Sequence, residues 1–340
     1  SDGVRLAVTY FKPAAQSESE RFPIVLEMLP YRKDDDFYSR DYALERYFPA
    51  RGIAIARVDV RGTGSSEGRL PDREYSSQEL DDAEELVGVL AGLPWSNGHI
   101  GMQGVSWGGF NSIMTAMRRP AQLKAILAAH SSDDLYGSDV HGIDGGLHLD
   151  IFMFEIEVEN IVPRSPDYAV DEGYFKDRFE PEPWVFNCLR HQRDGAFWQD
   201  GRSLQSDWGA INVPVYAIGA LLDGYRDTVP HMLDNLGVPV HAEIGPWNHS
   251  WPHSGSPSPN YEWRDTAVRW WKNWLADEPG PAFGGKCLSV FMRGSVPPDI
   301  NLTETPGGFW IEDWPIQRTR ILRLRPEGDF SLAREPGKSD

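Results

Sequence analysis

The stretch HIGMQGVSWGGFNSIMTAMRRP, residues 99–120, decides the fold prediction for this chain. It reads as an apolar strand, a Gly-Val-Ser-Trp-Gly turn centred on Ser106, and a helix. A G-x-S-x-G turn between a strand and a helix strains the serine backbone and exposes its hydroxyl above the sheet. The Trp107 N–H and the helix start then face the place where an oxyanion would form. We expect Gly104 and Gly108 to be required, because side chains there would collide with the neighbouring strand and helix. The pattern favours Ser106 as a nucleophile over a tight structural turn.

A serine hydroxyl is a weak nucleophile unless a base activates it. In folds with this turn the partners follow in the order Ser, Asp or Glu, then His, each just past a strand end. The predicted strand 213–219 leads into Asp223, and the predicted strand 240–245 leads into His249. The sequence therefore predicts a catalytic triad of Ser106, His249 and Asp223.

Other residues near these two strand ends are alternatives for the same roles. Asp227 lies one turn beyond Asp223, where capping or pairing with Arg226 is the favoured interpretation. His241 falls inside a predicted strand, which favours packing or solvent exposure. His253 belongs to the same loop as His249, and spacing alone leaves it open as the base.

Strands alternate with helical patterns over residues 1–130 and again over 211–277. This alternation predicts an α/β domain whose parallel sheet is covered on both faces. Residues 131–210 interrupt it, and we interpret them as a helical cap over the carboxyl edge of the sheet, where such sheets bind ligands. Short β-runs over 278–340 predict the start of a β-sandwich domain, incomplete because three or four strands cannot close a sandwich.

The bulk composition excludes several classes of function. With 33 Lys and Arg against 51 Asp and Glu, the formal net charge is −18, which disfavours nucleic acid or anionic membranes as partners. No apolar run approaches the ~18 residues of a transmembrane helix. The start Ser-Asp-Gly carries no signal-peptide pattern, which favours a cytoplasmic location. Cys188 and Cys287 are expected to be free thiols.

Two polar stretches could suggest a bound phosphate or metal. In Gly62–Gly68 the glycines do not open a helix and no G-K-[ST] follows, so a phosphate loop is disfavoured. Asp59 and Arg61 are expected to pair and brace this loop beside the Ser106 turn. Segment 141–150 carries two His and two Asp, but their spacing matches no zinc pattern. We therefore predict no metal and no cofactor.

The predicted cap is acidic and is flanked by tryptophans. Trp198, Trp247 and Trp251 could line an acyl or aryl pocket. A solvated face is the favoured interpretation of the acidic residues, and recognition of a substrate ammonium group is the alternative. The acidic residues are Asp133, Asp134, Asp139, Asp144, Asp150, Glu155, Glu157 and Glu159.

Further short motifs match a known family. They are Asp2-Gly3-Val4-Arg5-Leu6, Pro30-Tyr31-Arg32-Lys33, Asp59-Val60-Arg61-Gly62-Thr63-Gly64, Gly98-His99-Ile100-Gly101-Met102, the Ser106 turn, Asp223-Gly224 and Gly245-Pro246-Trp247-Asn248-His249. On these residues the sequence resembles the cocaine esterase (CocE/NonD-type) family of serine hydrolases. This family is related to the X-prolyl dipeptidyl peptidases and the α-amino-acid ester hydrolases.

The resemblance implies an α/β-hydrolase domain, a helical cap and a C-terminal jelly roll. It also implies that the Tyr31 hydroxyl donates to the oxyanion. Family members run further than this chain, so we expect either a fragment or a second chain that supplies the remainder. A homo-oligomer also stays open.

The predicted function is cleavage of a small-molecule carboxylic ester, or of an amide, through an acyl-enzyme. An X-prolyl dipeptidyl peptidase or an α-amino-acid ester hydrolase, each of which recognises a free amine, is the alternative enzyme. A catalytically inactive binding protein with the same fold is the alternative from another class.

Overall fold

The computed structural model describes residues 2–35, 38–139, 142–143, 146–147, 152–278, 280, 283–316, 324–326 and 332–334. The strands are β1 (Val8–Phe11), β2 (Phe22–Leu29), β3 (Ala54–Asp59), β4 (Ser96–Val105), β5 (Leu123–Ala129), β6 (Ser138–Asp139), β7 (Gly142–Ile143), β8 (Gly146–Leu147), β9 (Val215–Ala220), β10 (Val240–Gly245), β11 (Lys286–Met292), β12 (Phe309–Glu312), β13 (Leu324–Pro326) and β14 (Leu332–Arg334). The helices are α1 (Tyr38–Tyr47), α2 (Ser77–Ala91), α3 (Trp107–Arg118), α4 (Phe152–Glu159), α5 (Glu172–Phe179), α6 (Trp184–Arg190), α7 (Ala196–Gln199), α8 (Thr228–Asn235) and α9 (Arg264–Leu275).

Among the described residues, the main sheet has nine strands in the order β1-β3-β2-β4-β5-β9-β10-β11-β12. From β3 to β11 in this order, neighbouring strands are parallel, whereas β1 and β12 pair antiparallel at the two edges. Every residue of β2, β3 and β9 is buried, as is typical of strands covered on both faces. The predicted parallel α/β sheet is therefore confirmed.

Amphipathic helices cover both faces of this sheet. Helix α2 is preceded by the N-cap residue Ser76, whose hydroxyl accepts a hydrogen bond from the Glu79 N–H at 3.2 Å. Its apolar side joins the larger core cluster on one face of the sheet. On the other face, Trp263 at the start of α9 and its residues Trp270 and Trp271 are fully buried. Burial of three indoles makes α9 a major contributor to the second core layer.

The C-terminal strands differ from the expectation of a separate β domain starting at residue 278. Strand β11 pairs in parallel with β10, and β12 pairs antiparallel with β11, so both extend the main sheet. Alternation of short β-runs with turns cannot distinguish a new sheet from added edge strands. The division into 1–130 with 211–277, 131–210 and 278–340 stays a prediction.

The segment after β5 carries α4 to α7 and a small sheet in the order β6-β7-β8. Asn160, just past α4, joins this segment to two loops at the carboxyl edge of the main sheet. Its side-chain amide donates to the Pro30 carbonyl at 2.9 Å, and its side-chain oxygen accepts from the Gly64 N–H at 2.8 Å. One buried amide therefore holds the helical segment against the loop that follows β2 and the loop that follows β3.

The expected pairing of Asp59 with Arg61 is wrong. Asp59 accepts hydrogen bonds from the backbone N–H groups of Lys33, at 2.8 Å, and Ser65, at 2.9 Å. Arg61 instead pairs with Asp82 at 2.6 Å. Both side chains still brace the loop after β3, but through different partners.

Two bulk expectations can be compared with the described residues. Cys188 and Cys287 are free thiols, as predicted. No helix in the described part of the chain has the length and apolarity needed to cross a bilayer.

Candidate active site

Ser106 occupies a strained turn between β4 and α3. Its backbone has φ 59° and ψ −122°, a combination that non-glycine residues rarely adopt. A Cβ at Gly104 would lie 2.4 Å from the Gly108 Cα, so the turn needs glycine at position 104. Ser106 is only partly buried, although the residues on both sides of it are buried. This strained exposure of one hydroxyl above the sheet is the geometry of a nucleophile elbow.

The expected collision at Gly108 is wrong, and Gly109 is crowded instead. A Cβ at Gly108 would lie 3.4 Å from the Gln103 carbonyl oxygen, which a small shift accommodates. A Cβ at Gly109 would lie 2.8 Å from the Ala129 carbonyl oxygen. The helix therefore approaches the neighbouring strand β5 most closely one residue later than the G-x-S-x-G pattern suggests.

Four chemically active side chains follow four adjacent strands. Ser106 comes after β4, His130 after β5, Asp223 after β9 and His249 after β10. These strands are parallel neighbours, so their carboxyl ends lie at one edge of the sheet. The topology therefore brings the three predicted triad residues to one edge, together with a second histidine.

Asp223 binds both histidines through its two carboxylate oxygens. His249 Nδ1 lies 3.0 Å from Asp223 Oδ1, and His130 Nδ1 lies 2.6 Å from Asp223 Oδ2. Burial alone would raise the pKa of Asp223, but the two hydrogen bonds outweigh it and hold this pKa well below its usual range. The carboxylate is therefore charged at neutral pH and can orient the His249 ring.

His130 is the member of this group that the sequence reasoning missed. Its ring is buried, and its Nε2 lies 2.9 Å from the Ser250 carbonyl oxygen, next to His249. Burial lowers the pKa of His130, although Asp223 opposes this shift. A neutral imidazole has one N–H, but the His130 ring faces two acceptors. We assign the proton to Nδ1, because this nitrogen makes the shorter contact and its acceptor is a charged carboxylate. The signal available in the sequence was its place directly after β5.

The alternative triad residues lie elsewhere. His253 Nδ1 accepts a hydrogen bond from the Trp263 indole at 2.8 Å. His241 Nδ1 lies 2.9 Å from the Cys287 sulfur, inside the strand pair β10–β11. Asp227 is exposed just before α8. The structure places none of the three against Asp223.

The described hydrogen bonds do not include one between the Ser106 hydroxyl and His249. His249 is 37% exposed at its side chain, the largest exposure in the group around Asp223. In hydrolases without a bound substrate this contact is often long and shortens on binding. The link from Ser106 to His249 therefore stays a prediction.

Trp107, whose N–H is a predicted oxyanion donor, is held by a buried carboxyl group. Its indole N–H donates to Glu79 Oε1 at 2.6 Å, and the Asn111 amide donates to the same oxygen at 3.0 Å. Burial raises the pKa of Glu79 to about 7, although these hydrogen bonds lower it. The Trp107 backbone N–H lies in the first turn of α3, where helical N–H groups lack an intrahelical acceptor.

The remaining predicted site residues fall into two groups. Tyr31 is partly buried and packs on the cluster that contains Trp107 and the fully enclosed Trp198. Trp247 and Trp251 belong to the core on the face of α9, where Trp247 is completely buried and donates to the Pro259 carbonyl at 2.7 Å. The proposed pocket roles of the three tryptophans stay predictions.

The favoured interpretation of the acidic cap as a solvated face is wrong for Asp133 and Asp134, which are buried. Asp133 lies 3.0 Å from His231 and accepts from Gln205 at 2.9 Å. Asp134 accepts from the Tyr136 N–H at 3.0 Å. Both carboxylates therefore already serve donors of the protein.

The segment 141–150 lies largely outside the described residues, including its two His and two Asp. Among the described residues, one group has the spacing of metal ligands: His130, Asp223 and His249, whose candidate ligand atoms lie within 4.8 Å of one another. Hydrogen bonds inside this group already use both Nδ1 atoms and both carboxylate oxygens. A cation there would have to displace them.

Solved structures and curated relatives agree with this architecture. A CocE/NonD family hydrolase from Staphylococcus aureus matches with a TM-score of 0.71 at 16% identity, over 96% of this chain and 57% of that one. An aminopeptidase from a marine sediment archaeon, Thaumarchaeota archaeon, matches with a TM-score of 0.70 at 20% identity, over 98% and 61%. At these identities the likeness shows the fold alone, and the fold is that of the α/β-hydrolases.

The cocaine esterase of Rhodococcus sp. (strain MB1 Bresler) is 32% identical over 282 residues, which cover 73% of this chain and 47% of that protein. The chain spans about half the length of the curated relatives it matches. The model of the X-Pro dipeptidyl-peptidase (S15) family matches residues 2–251. Because the matched residues make up most of this chain, the chain belongs to the X-Pro dipeptidyl-peptidase (S15) family.

Proposed function

We propose that this chain carries the catalytic site of a serine hydrolase that cleaves small-molecule carboxylic esters through an acyl-enzyme. One observation carries the proposal: His249 hydrogen-bonds Asp223 at the same sheet edge where Ser106 sits in a strained elbow. Base and acid follow strands adjacent to one another and close to the strand of the nucleophile. This is the arrangement by which a serine hydroxyl becomes reactive.

In the proposed reaction, Ser106 Oγ attacks the ester carbonyl carbon while His249 Nε2 takes the hydroxyl proton. Nε2 has this role because Nδ1 faces Asp223. The tetrahedral intermediate collapses, and the same proton passes to the departing alcohol. Water then attacks the acyl-enzyme, gives a proton to His249, and releases the carboxylic acid as Ser106 regains that proton. Asp223 holds the ring and stabilises its charged form.

The Trp107 N–H and the Tyr31 hydroxyl are the proposed oxyanion donors. Packing of Tyr31 on the cluster that contains Trp107 supports this pairing, because one anion can be shared only by neighbouring groups. The Glu79–Trp107 hydrogen bond supports a fixed position for the Trp107 backbone. Donors that are fixed before the reaction stabilise the developing charge without reorganisation.

Cleavage of X-prolyl or amino-acyl substrates is the second candidate, and the family match favours it. Such an enzyme needs a carboxylate that pairs with the substrate's free amine. Asp133 and Glu157 each accept a hydrogen bond through one carboxylate oxygen, from Gln205 at 2.9 Å and from the Trp184 N–H at 3.0 Å, and the other oxygen of each is buried without a hydrogen-bond partner. The 32% identity to a cocaine esterase keeps the ester as the first candidate substrate.

Labelling with a fluorophosphonate probe tests the nucleophile. The probe should label Ser106, as located by mass spectrometry of peptides, and Ser106→Ala should abolish labelling. This variant should also lower aryl acetate hydrolysis by about 10⁴-fold or more. Ser254→Ala, an exposed serine in the loop of His249, is the matched control and should retain both properties. Folded protein that resists the probe would instead support an inactive binding protein.

Rates on two substrates separate the enzyme candidates. We expect kcat/KM for an aryl acetate to exceed that for an X-Pro anilide. Preferential turnover of the anilide would overturn the esterase assignment and leave the triad intact.

A further inference from the structure

A second nucleophile lies beside a histidine at the other end of β10. In the parallel pair β10–β11, His241 stands opposite Cys287, and the Cys287 sulfur lies 2.9 Å from His241 Nδ1. Glu243, two residues further along β10 and therefore on the same face, places Oε1 3.4 Å from His241 Nε2. A thiol, an imidazole and a carboxylate thus form a row, separate from the edge that holds Ser106.

This row lines a cavity of about 660 Å³, a size typical of small-molecule sites. Glu243 has a 6% exposed side chain, and its Oε1 accepts from the Tyr216 hydroxyl at 2.7 Å. In the described part of the chain, Glu243 Oε2 is buried without a hydrogen-bond partner, whereas His241 Nε2 faces Glu243 Oε1. Unsatisfied buried polar atoms at a cavity wall are unusual and indicate that the cavity accepts a polar molecule.

The electrostatics of the row favour a charged imidazole. Burial lowers the pKa of His241, but Cys287 and Glu243 outweigh it and raise this pKa to about 9. Tyr216 on β9 stays neutral, because burial and Glu243 raise its pKa well above the usual value. The positive charge of Arg269 on α9 opposes this rise in the pKa of Tyr216. The other charged side chains along the cavity are Lys286, Glu312 and Asp313.

We propose that Cys287 is a reactive thiolate paired with the His241 imidazolium, and that this cavity is a site of covalent modification by small disulfides. A cationic donor beside sulfur stabilises the thiolate, which is the nucleophilic form. Cys287 is partly exposed, whereas Cys188 is buried in the helical segment. The two thiols of the chain should therefore differ sharply in reactivity.

The chemistry is thiol–disulfide exchange. The Cys287 thiolate attacks one sulfur of a disulfide RSSR, the S–S bond breaks, and Cys287–S–SR forms. The departing RS⁻ takes the proton held by His241, so that the sum is one protein thiol and RSSR giving one mixed disulfide and RSH. Glu243 keeps the ring oriented through Nε2.

The pH dependence of alkylation tests the proposal. Iodoacetamide is added to the native protein, and modification of Cys287 is followed by mass spectrometry between pH 8 and pH 6.5. An unperturbed peptide thiol slows roughly 20-fold over this interval, because its pKa is about 8.5. Cys287 should slow by less than the peptide does, and Cys188 should stay unmodified. A slope equal to that of the peptide, or a protected Cys287, overturns the proposal.

Variants test whether His241 is the cause of the shallow pH dependence expected for Cys287. His241→Gln should restore the roughly 20-fold slope, whereas His191→Gln, an exposed histidine outside the cavity, should leave the slope of Cys287 unchanged. If His241→Gln does not fold, the wild-type profile still decides. Bis(2-hydroxyethyl) disulfide should add one thiol adduct to the wild type and none to Cys287→Ser. An adduct on Cys188 alone would contradict the assignment.

Discussion

Two histidines near strand β10 show how the same residue types give different sites. His249, past the carboxyl end of β10, meets Asp223 through loops that follow separate strands. His241, inside β10, meets Cys287 by direct pairing of two strands. In the first site the histidines lower the pKa of the acid, and in the second the thiol and Glu243 raise the pKa of the base. Loops at a sheet edge thus assemble the groups of the proposed proton transfer, whereas direct pairing of two strands assembles the proposed thiolate–imidazolium pair.

The largest effect should come from replacing Asp223, the acid of the loop-assembled site, which is the group of Ser106, His249 and Asp223. Asp223→Asn keeps the shape but presents an amide to His249, so the ring loses its orienting charge. We expect kcat for an aryl acetate to fall by about 10³–10⁴-fold. Asp227→Asn, an exposed neighbour, should retain activity. Equal activity of both variants would remove Asp223 from the mechanism.

The oxyanion donors should give the next largest effect. Tyr31→Phe removes one hydroxyl and keeps the ring that packs on the Trp107 cluster. We expect kcat to fall by about 10²–10³-fold with little change in KM. Tyr10→Phe, at a 42% exposed tyrosine, is the control. A rise in KM alone would mean that Tyr31 binds the substrate without stabilising the transition state.

His130 tests how the site around Asp223 is held in place. It hydrogen-bonds Asp223 and has no contact with the substrate in the proposed reaction. His130→Gln should lower kcat by about 10–100-fold, since Asp223 loses the buried hydrogen-bond partner that fixes one of its carboxylate oxygens. KM should change little, and fluorophosphonate labelling of Ser106 should slow in parallel with kcat. His191→Gln is the matched surface control. A change confined to thermal stability would restrict His130 to a structural role.

The last prediction concerns folding stability and not catalytic rate, and it involves Glu79, which holds the Trp107 indole. The pKa of Glu79 is raised to about 7, so the folded state holds a proton that the unfolded chain releases above about 4.5. The free energy of unfolding should therefore fall as pH rises from 4.5 through 7, by on the order of 3 kcal/mol from this group. Glu79→Gln should flatten that fall in urea titrations, and Glu84→Gln, exposed on the same helix, should not. An unchanged pH slope in Glu79→Gln would contradict the shift.

The sequence predicts the parallel sheet and the positions of Ser106, Asp223 and His249 at its edge, because strand ends are readable from apolar runs and turns. It does not reveal His130, since a histidine directly after a strand looks like any loop residue until the neighbouring strand is known. The strand order places β5 next to β9, and only that adjacency joins His130 to Asp223.

Other features that the sequence did not predict also depend on contacts between residues that are distant in sequence. The burial of Asp133 and Asp134 depends on donors that are distant in sequence, such as His231. Strands β11 and β12 join the main sheet because β10 offers them an edge to pair with, and the sequence does not show which strand has such an edge. The cavity beside Cys287 depends on the same pairing, so neither composition nor spacing could indicate it.

The side chain of Asn160 ties the helical segment to the carbonyl of Pro30, which immediately precedes Tyr31. Any outward swing of that segment would pull on the residue next to the proposed anion donor. The position of the helical segment and the geometry of the proposed anion site are therefore coupled through a single side-chain amide.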